Sequence, residues 1–287
     1  MNKISNTKEV YNALILGIRD YFKKNKFTKA VIGLSGGIDS SVAAYIAVKA
    51  LGNKNVTAIL MPDMGVTSKL SMEDAKSIAD KLKIKYYLIS INEIIEKIDK
   101  QKNFLSENFF VKVKNDIYAI ANIKARIRMM LLYYFANLNN ALVIGTSDKS
   151  EIALGYTTKY GDNASDILAI GDLWKTEVIE MGKFLEIPSS ILKKKPSAEL
   201  IIGQTAEKEL GASYELLDKI LKMYIEEDLS MEEIINKKFN KKTVKNVIDR
   251  IRLNEHKRRN SMLIRITERS FHGMEWRMPI TNGFMEQ

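Results

Sequence analysis

Apolar residues recur along this chain in two rhythms, one of helix period and one of short unbroken runs. Near the N-terminus Val10, Leu14, Ile18 and Phe22 fall at helical spacing with charges between them, which predicts an amphipathic helix. Ala30–Ser35 then reads as a buried strand that ends in Gly36-Gly37 and enters a helix from about Ser40 to Leu51. Val56–Pro62 predicts a second strand, Tyr86–Ile91 a third and Ala141–Gly145 a fourth. Between them lie a helix with a cap signal at Ser71 running to about Leu82, a helical stretch from Asn92 to Lys100, and a long amphipathic helix from Asp116 to Leu138. Strands that are apolar throughout and alternate with helices predict an α/β fold, a doubly wound and mostly parallel sheet with helices on both faces. Beyond Asp172 the pattern changes to helices at 172–185, 213–224, 231–236 and 243–259, with Lys193–Thr205 as a loop. The expectation is one domain over 1–287, with an α/β core at 1–170 and a helical C-terminal extension at 171–287.

Composition narrows the chemistry. At 287 residues and 46% hydrophobic content the chain can bury a substantial core. A formal charge of +10 favours anionic partners, although the lysines are scattered rather than gathered in one block. The absence of cysteine excludes a thiol nucleophile, a thiolate metal site and disulfides. Two histidines, His256 and His272, leave little room for a His-rich metal centre. No apolar run reaches membrane-spanning length and the N-terminus does not read as a signal peptide, so no membrane association and a cytoplasmic location are expected.

The strongest local motif is Ser35-Gly36-Gly37-Ile38-Asp39-Ser40-Ser41, set where a strand meets a helix, with Gly33 just before it. Paired glycines let backbone amides approach an anion, and the helix N-terminus aims its free N–H groups and positive dipole end at the same point. Ser35 and Ser40 add hydroxyl donors. Asp39 would repel a phosphate directly but suits a Mg²⁺ ion that bridges phosphates. The bland alternative is a structural strand–turn–helix with a Ser or Asp cap. No Gly-Lys-Ser/Thr follows, so this is not a Walker A loop. The motif resembles the pyrophosphate loop of ATP pyrophosphatases, which cleave ATP to AMP and pyrophosphate through adenylated intermediates. That group includes NAD synthetases, GMP and asparagine synthetases and tRNA-modifying enzymes.

Further blocks are similar to the ammonia-dependent NAD synthetase family and follow its order over most of the chain. They are Asn122–Met129, Gly145–Glu151, Gly155–Asp166, Asp172–Thr176, Lys195–Ala198, Gly203–Gly211 and His256–Arg258. The resemblance implies ATP-dependent amidation of deamido-NAD by ammonia, giving NAD, AMP and pyrophosphate through an acyl adenylate. It assigns Gly33, Ser35, Gly36, Gly37, Asp39, Ser40, Thr146, Lys175 and Ser197 to ATP. Asp39 and Glu151 become the Mg²⁺ carboxylates. Arg126, Lys159, Asp166, His256 and Lys257 fall to deamido-NAD, and Asp162 and Lys175 to catalysis. Arg126 matches an arginine that reaches substrate on the other subunit, which implies a homodimer. With no cysteine for glutamine hydrolysis, free ammonia is the expected nitrogen source and no glutaminase domain is expected. Taken singly, most of these residues have ordinary readings: Lys175 as a surface lysine, Glu151 as a solvated helix carboxylate, Arg126 and Arg128 as the polar face of a helix, His256 as a helix-end histidine. A tRNA-modifying pyrophosphatase shares the loop and the basic charge, but not the blocks beyond it, so no nucleic-acid partner is expected.

The chain departs from the family pattern at Glu199, Ile201 and Ala206, at Asp148 where asparagine is usual, and at Leu168-Ala169. The Ser270–Asn282 tail carries no assigned chemistry, and its Phe271, Trp276 and Met278 would pack on the body.

Overall fold

The computed structural model describes residues 6–109, 117–197, 199–259, 261–271 and 280. The Asp116 start of the long helix, Ala198, His272, Trp276 and Met278 lie outside them. The first half of the chain runs α1 (Thr7–Lys24), β1 (Lys29–Gly33), α2 (Ile38–Leu51), β2 (Val56–Leu60), α3 (Lys69–Leu82), β3 (Lys85–Leu88), α4 (Asn92–Phe109) and α5 (Ile117–Asn139). It continues through β4 (Ala141–Gly145), α6 (Lys149–Leu154), β5 (Ile167–Leu168), α7 (Lys175–Phe184) and α8 (Ser189–Leu192). The rest is helical: α9 (Ala206–Leu210), α10 (Tyr214–Ile225), α11 (Met231–Asn236), α12 (Lys241–Leu253) and α13 (Glu255–Arg258).

The five strands form one parallel sheet in the order β3-β2-β1-β4-β5. Central β1 pairs on one side with β2 (Ala30 opposite Val56) and on the other with β4 (Lys29 opposite Ala141). The chain winds outward from β1 to β3 and then returns to lay β4 and β5 on the other side. This makes the β1/β4 junction the switch point, and crevices for ligands open there beyond the carboxyl ends of the strands. Alternate residues of each strand feed opposite layers. Ile32, Ala58, Leu60 and Ile144 pack towards α1, α2 and α7, whereas Val31, Ile59 and Val143 pack towards α4 and α5. A third core, built on Trp174, Tyr214, Leu217, Ile220, Val244 and Val247, holds α10–α12 against α6 and α7.

The expected sheet and its two helical layers are present, and several boundaries shift for physical reasons. β3 ends at Leu88, and Tyr87 and Leu88 are 38% and 45% exposed because β3 is an edge strand. The cap of α3 is Ser68, whose hydroxyl oxygen accepts the Ser71 N–H, so Ser71 lies one turn inside. The helix expected over 243–259 divides at Asn254, whose side-chain amide turns back onto the carbonyls of Leu154 and Arg250. That side chain sits where a β-carbon on Gly155 would fall, 2.1 Å from it. The short elements α6, α9 and β5 were too brief for periodicity to show. Phe271, expected to pack, is 83% exposed. Among the described residues no helix is long and apolar enough to cross a membrane.

Candidate active site

A cavity of about 660 Å³ opens at the switch point, walled by the residues after β1, β2 and β4, by α5, by the 194–204 segment and by Arg250, Asn254 and Lys257 from the helical part. The glycine loop forms its floor. Gly36 adopts φ +78°, and a β-carbon there would stand 2.0 Å from the Ser71 carbonyl oxygen, so both the backbone conformation and the close approach of α3 require glycine. The Ser35 and Ser40 hydroxyls lie 3.0 Å apart, Gly37 N–H donates to Ser35 Oγ, and the Ser40 and Ser41 hydroxyls donate to the Gly37 carbonyl. No side chain caps α2 at Gly37, which leaves its first amides available to an anion. Lys194 reaches over the loop, donating to the Gly36 carbonyl at 2.9 Å while paired with Asp74 at 2.6 Å.

Beside the loop stands a group of carboxylates. Asp39 enters from the first turn of α2, and Asp148 and Glu151 form a reciprocal capping box on α6. Oxygens of all three lie within 4.8 Å of one another. The ammonium of Lys175, the first residue of α7, sits among them at 2.7 Å from Asp39, 2.7 Å from Asp148 and 3.0 Å from Glu151. Its side chain is 0% exposed and its nitrogen lies 5.2 Å from the centre of the Tyr214 ring. Burial alone would lower the lysine's pKa, but the three carboxylates outweigh it and raise it well above its ordinary value. Burial pushes Asp148 up to about 6, against the pull of Lys175, and burial together with the neighbouring Asp148 raises Glu151 well above the carboxylate range. The base of Lys175 is fixed by its N–H on Ser150 Oγ at 2.9 Å. Ser150 in turn donates to Asp218 at 2.5 Å, and Asp218 also accepts the Thr176 N–H.

The structure brings together Gly33, Ser35, Gly37, Asp39, Ser40, Thr146, Glu151, Asp162, Ser197 and Lys257 around the cavity. Asp162 opens into it while protein encloses its other sides, and this enclosure pushes its carboxyl above the ordinary range. Its Oδ1 accepts the Thr158 N–H at 2.7 Å. Lys257 donates to the Gly155 carbonyl at 2.7 Å, and desolvation lowers its pKa. Ser197 donates to the Gln204 carbonyl. Other residues lie elsewhere. Lys175 is packed behind Asp39 and Glu151 and does not line the cavity. Asp166 accepts the Val143 N–H at 2.7 Å and the Tyr133 hydroxyl at 3.5 Å, fastening the strand edge. Arg126 and His256 are exposed, Arg126 on the Lys159 carbonyl and His256 near the Leu253 carbonyl, while the Lys159 ammonium leans on Tyr160.

Sequence reasoning passed over Asp148 as a lysine partner, and with it Tyr214, Asp218 and Arg128. Arg128 lines the cavity and holds the Met61 carbonyl at 3.0 Å. A polar residue facing into the apolar stripe of α10 was the available signal for Asp218. Glu199 takes φ +45° and accepts the Ser71 hydroxyl at 2.6 Å, which ties the 194–204 segment to α3.

A family profile described as NAD synthase matches residues 10–261. The chain belongs to the NAD synthase family. Within that family it is 45% identical to the glutamine-dependent NAD(+) synthetase of Aquifex aeolicus, covering 97% of this chain and 49% of that one. It thus spans about half the length of that relative. It is 40% identical to the NH(3)-dependent NAD(+) synthetase of Fusobacterium nucleatum, covering 93% and 99%. Among solved structures it resembles the NMN synthetase of Francisella tularensis, with a TM-score of 0.77, 34% identity and coverage of 91% and 99%. It also resembles the NH3-dependent NAD synthetase of Campylobacter jejuni, with a TM-score of 0.75, 30% identity and coverage of 91% and 100%.

For this NAD synthase-family chain, Gly36→Ala is expected to cost about 1–3 kcal/mol through strain and overpacking. It should also weaken anion binding at the loop on the order of tenfold, by displacing the free amides at the start of α2. Thermal melts and pyrophosphate titration check both. Unchanged pyrophosphate affinity would remove the loop from the site.

Proposed function

We propose that the chain catalyses ATP-dependent amidation of deamido-NAD with ammonia, releasing NAD, AMP and pyrophosphate. The observation that carries this reading is the joining, in one cavity, of an uncapped glycine loop, a carboxylate group fit for a hard cation, and Asp162 and Lys257. Its volume of about 660 Å³ suits small-molecule ligands. Membership of the NAD synthase family supports the substrate, and residues from both 1–170 and 171–287 build the cavity, which favours one catalytic unit.

The nicotinate carboxylate attacks the α-phosphorus of ATP, and the bond to the β-phosphate oxygen breaks to release pyrophosphate. Ammonia then attacks the acyl carbon, the bond to AMP breaks, and a proton is lost from nitrogen. The amides of the first turn of α2, with the Ser35 and Ser40 hydroxyls, hold the departing pyrophosphate. Thr146 and Ser197 flank the nucleotide. The all-oxygen donor set of Asp39 and Glu151 fits Mg²⁺, which when bound would neutralise charge on the α- and β-phosphates. Asp162, with one oxygen occupied by Thr158 and a raised proton affinity, receives the ammonium ion or its proton. Lys257 offers a cation to the dinucleotide, and Arg128 stiffens the wall after β2.

The reading also includes a homodimer and a cytoplasmic setting. On α5, Met130, Tyr134 and Leu138 are 54%, 65% and 67% exposed, and Arg126 lies on the same stripe one turn before Met130. An apolar stripe of that kind favours a partner surface, with Arg126 presented across it. The 40% identity to the NH(3)-dependent NAD(+) synthetase of Fusobacterium nucleatum, 99% of which is covered, supports free ammonia as the nitrogen source.

Purified protein given ATP, Mg²⁺, ammonium and deamido-NAD is expected to form NAD and pyrophosphate in equal amounts. Asp39→Ala should lower kcat/KM on the order of 100-fold or more. Folded protein that makes neither product would end the reading. Asp162→Asn is expected to retain ATP–pyrophosphate exchange while losing amidation at limiting ammonium. Full amidation by that variant would remove Asp162 from the ammonia step. Sedimentation should show twice the 32.7 kDa chain mass, and Tyr134→Glu with Leu138→Glu should halve it and depress NAD formation. A fully active wild-type monomer would contradict the dimer.

A further inference from the structure

Lys175 is one of the residues whose type suits phosphates, yet its ammonium does not line the cavity. Its side chain is 0% exposed, and between it and the cavity stand Asp39 and Glu151, whose side chains are 22% and 19% exposed. Behind it is Asp148, also 0% exposed, and the Tyr214 ring. The ammonium therefore sits among three carboxyl groups whose oxygens lie within 4.8 Å of one another, an all-oxygen seat of the kind a divalent cation takes.

Asp148 divides its two oxygens between separate tasks. Oδ1 accepts the Glu151 N–H at 2.9 Å and caps α6, while Oδ2 faces Lys175 at 2.7 Å. An asparagine would keep the cap and lose the ion pair, so the carboxylate charge is not required for the helix. Lys175 is held at its base by Ser150, which Asp218 in turn holds, leaving the four-carbon stem to swing without moving α7.

We propose that Asp148 is a positioning residue that keeps the Lys175 ammonium in the divalent-cation seat of the free protein, so that Lys175 turns into the cavity only when a cation takes Asp39 and Glu151. Lysine release and cation entry are then one exchange, which prevents the lysine from meeting phosphates before the carboxylates are neutralised. This rests on the reading of the cavity as an ATP site, but its test uses no substrate.

The full chain and its Asp148→Asn variant are acetylated briefly with a water-soluble amine reagent, with and without Mn²⁺ and without nucleotide. Peptide mass spectrometry reads Lys175 against exposed lysines, and Mn²⁺ occupancy is followed by electron paramagnetic resonance. In the wild type, Lys175 is expected to be protected without the ion and to label roughly tenfold faster once Mn²⁺ saturates, because burial is what shields it. Asp148→Asn should label quickly without Mn²⁺ and respond little to it, and Asp148→Glu should restore protection. Circular dichroism confirms that each variant is folded. Labelling of Lys175 that is unchanged by Mn²⁺ and by Asp148→Asn, or a protein that binds no Mn²⁺, overturns the exchange. If NAD is formed by a protein whose Lys175 stays fixed, only the exchange falls. If the exchange occurs and no NAD is made, only the proposed activity falls.

Discussion

The buried ammonium of Lys175 ties the site to the fold. Its three carboxylate partners come from α2 and α6, its aromatic neighbour from α10, and its own backbone from the start of α7. Desolvating four ionisable groups is expensive, and the cost is offset only because each charge has a close opposite and the carboxylates keep additional hydrogen bonds. Removing Lys175 from such a group would typically destabilise by about 3–5 kcal/mol, since its carboxylate partners would be left buried without a counter-ion. The ion cluster therefore sets how the helical C-terminal part docks against the sheet, and with it where Arg250, Asn254 and Lys257 meet the cavity.

The sheet supplies the complementary constraint. Because β2 and β4 lie on opposite sides of β1, the loops that follow β1 and β4 diverge and cannot fill the space between them. Two short helix starts, α2 at Gly37 and α6 at Asp148, point into that space with opposite roles. The first keeps its amides free and is suited to an anion. The second has its amides satisfied by a capping box and offers carboxylates. An anion-holding wall next to a cation-holding wall is the arrangement that a nucleotide with its counter-ion demands.

The 194–204 segment shows how departures from a family pattern can be absorbed. A glutamate at position 199 adopts a left-handed backbone that favours glycine, and its carboxylate compensates by accepting the Ser71 hydroxyl at the start of α3. Lys124 adds a second tie, bound to Asp63 at 2.7 Å and to the Leu200 carbonyl at 2.9 Å. The roof over the glycine loop is thus held by contacts from α3 and α5.

Periodicity in the sequence was enough to determine the parallel α/β class, the four longer strands and most helices, because continuous apolar runs and helix-spaced stripes report burial directly. The glycine loop was legible for the same local reason: Gly36, Asp39 and Ser40 act through a strand–turn–helix whose residues are neighbours in the chain. Pattern could not show that β3 is an edge, since Tyr86–Ile91 is apolar whether or not a further strand covers it. Nor could it show that Asp166 fastens strands rather than facing the cavity, or that Lys175 is buried among Asp39, Asp148 and Glu151. The Lys175 pairings join positions 24 to 136 residues apart. A charge meets its partner across such distances only after packing has removed water and brought separate helices together, so the tertiary structure alone decided them.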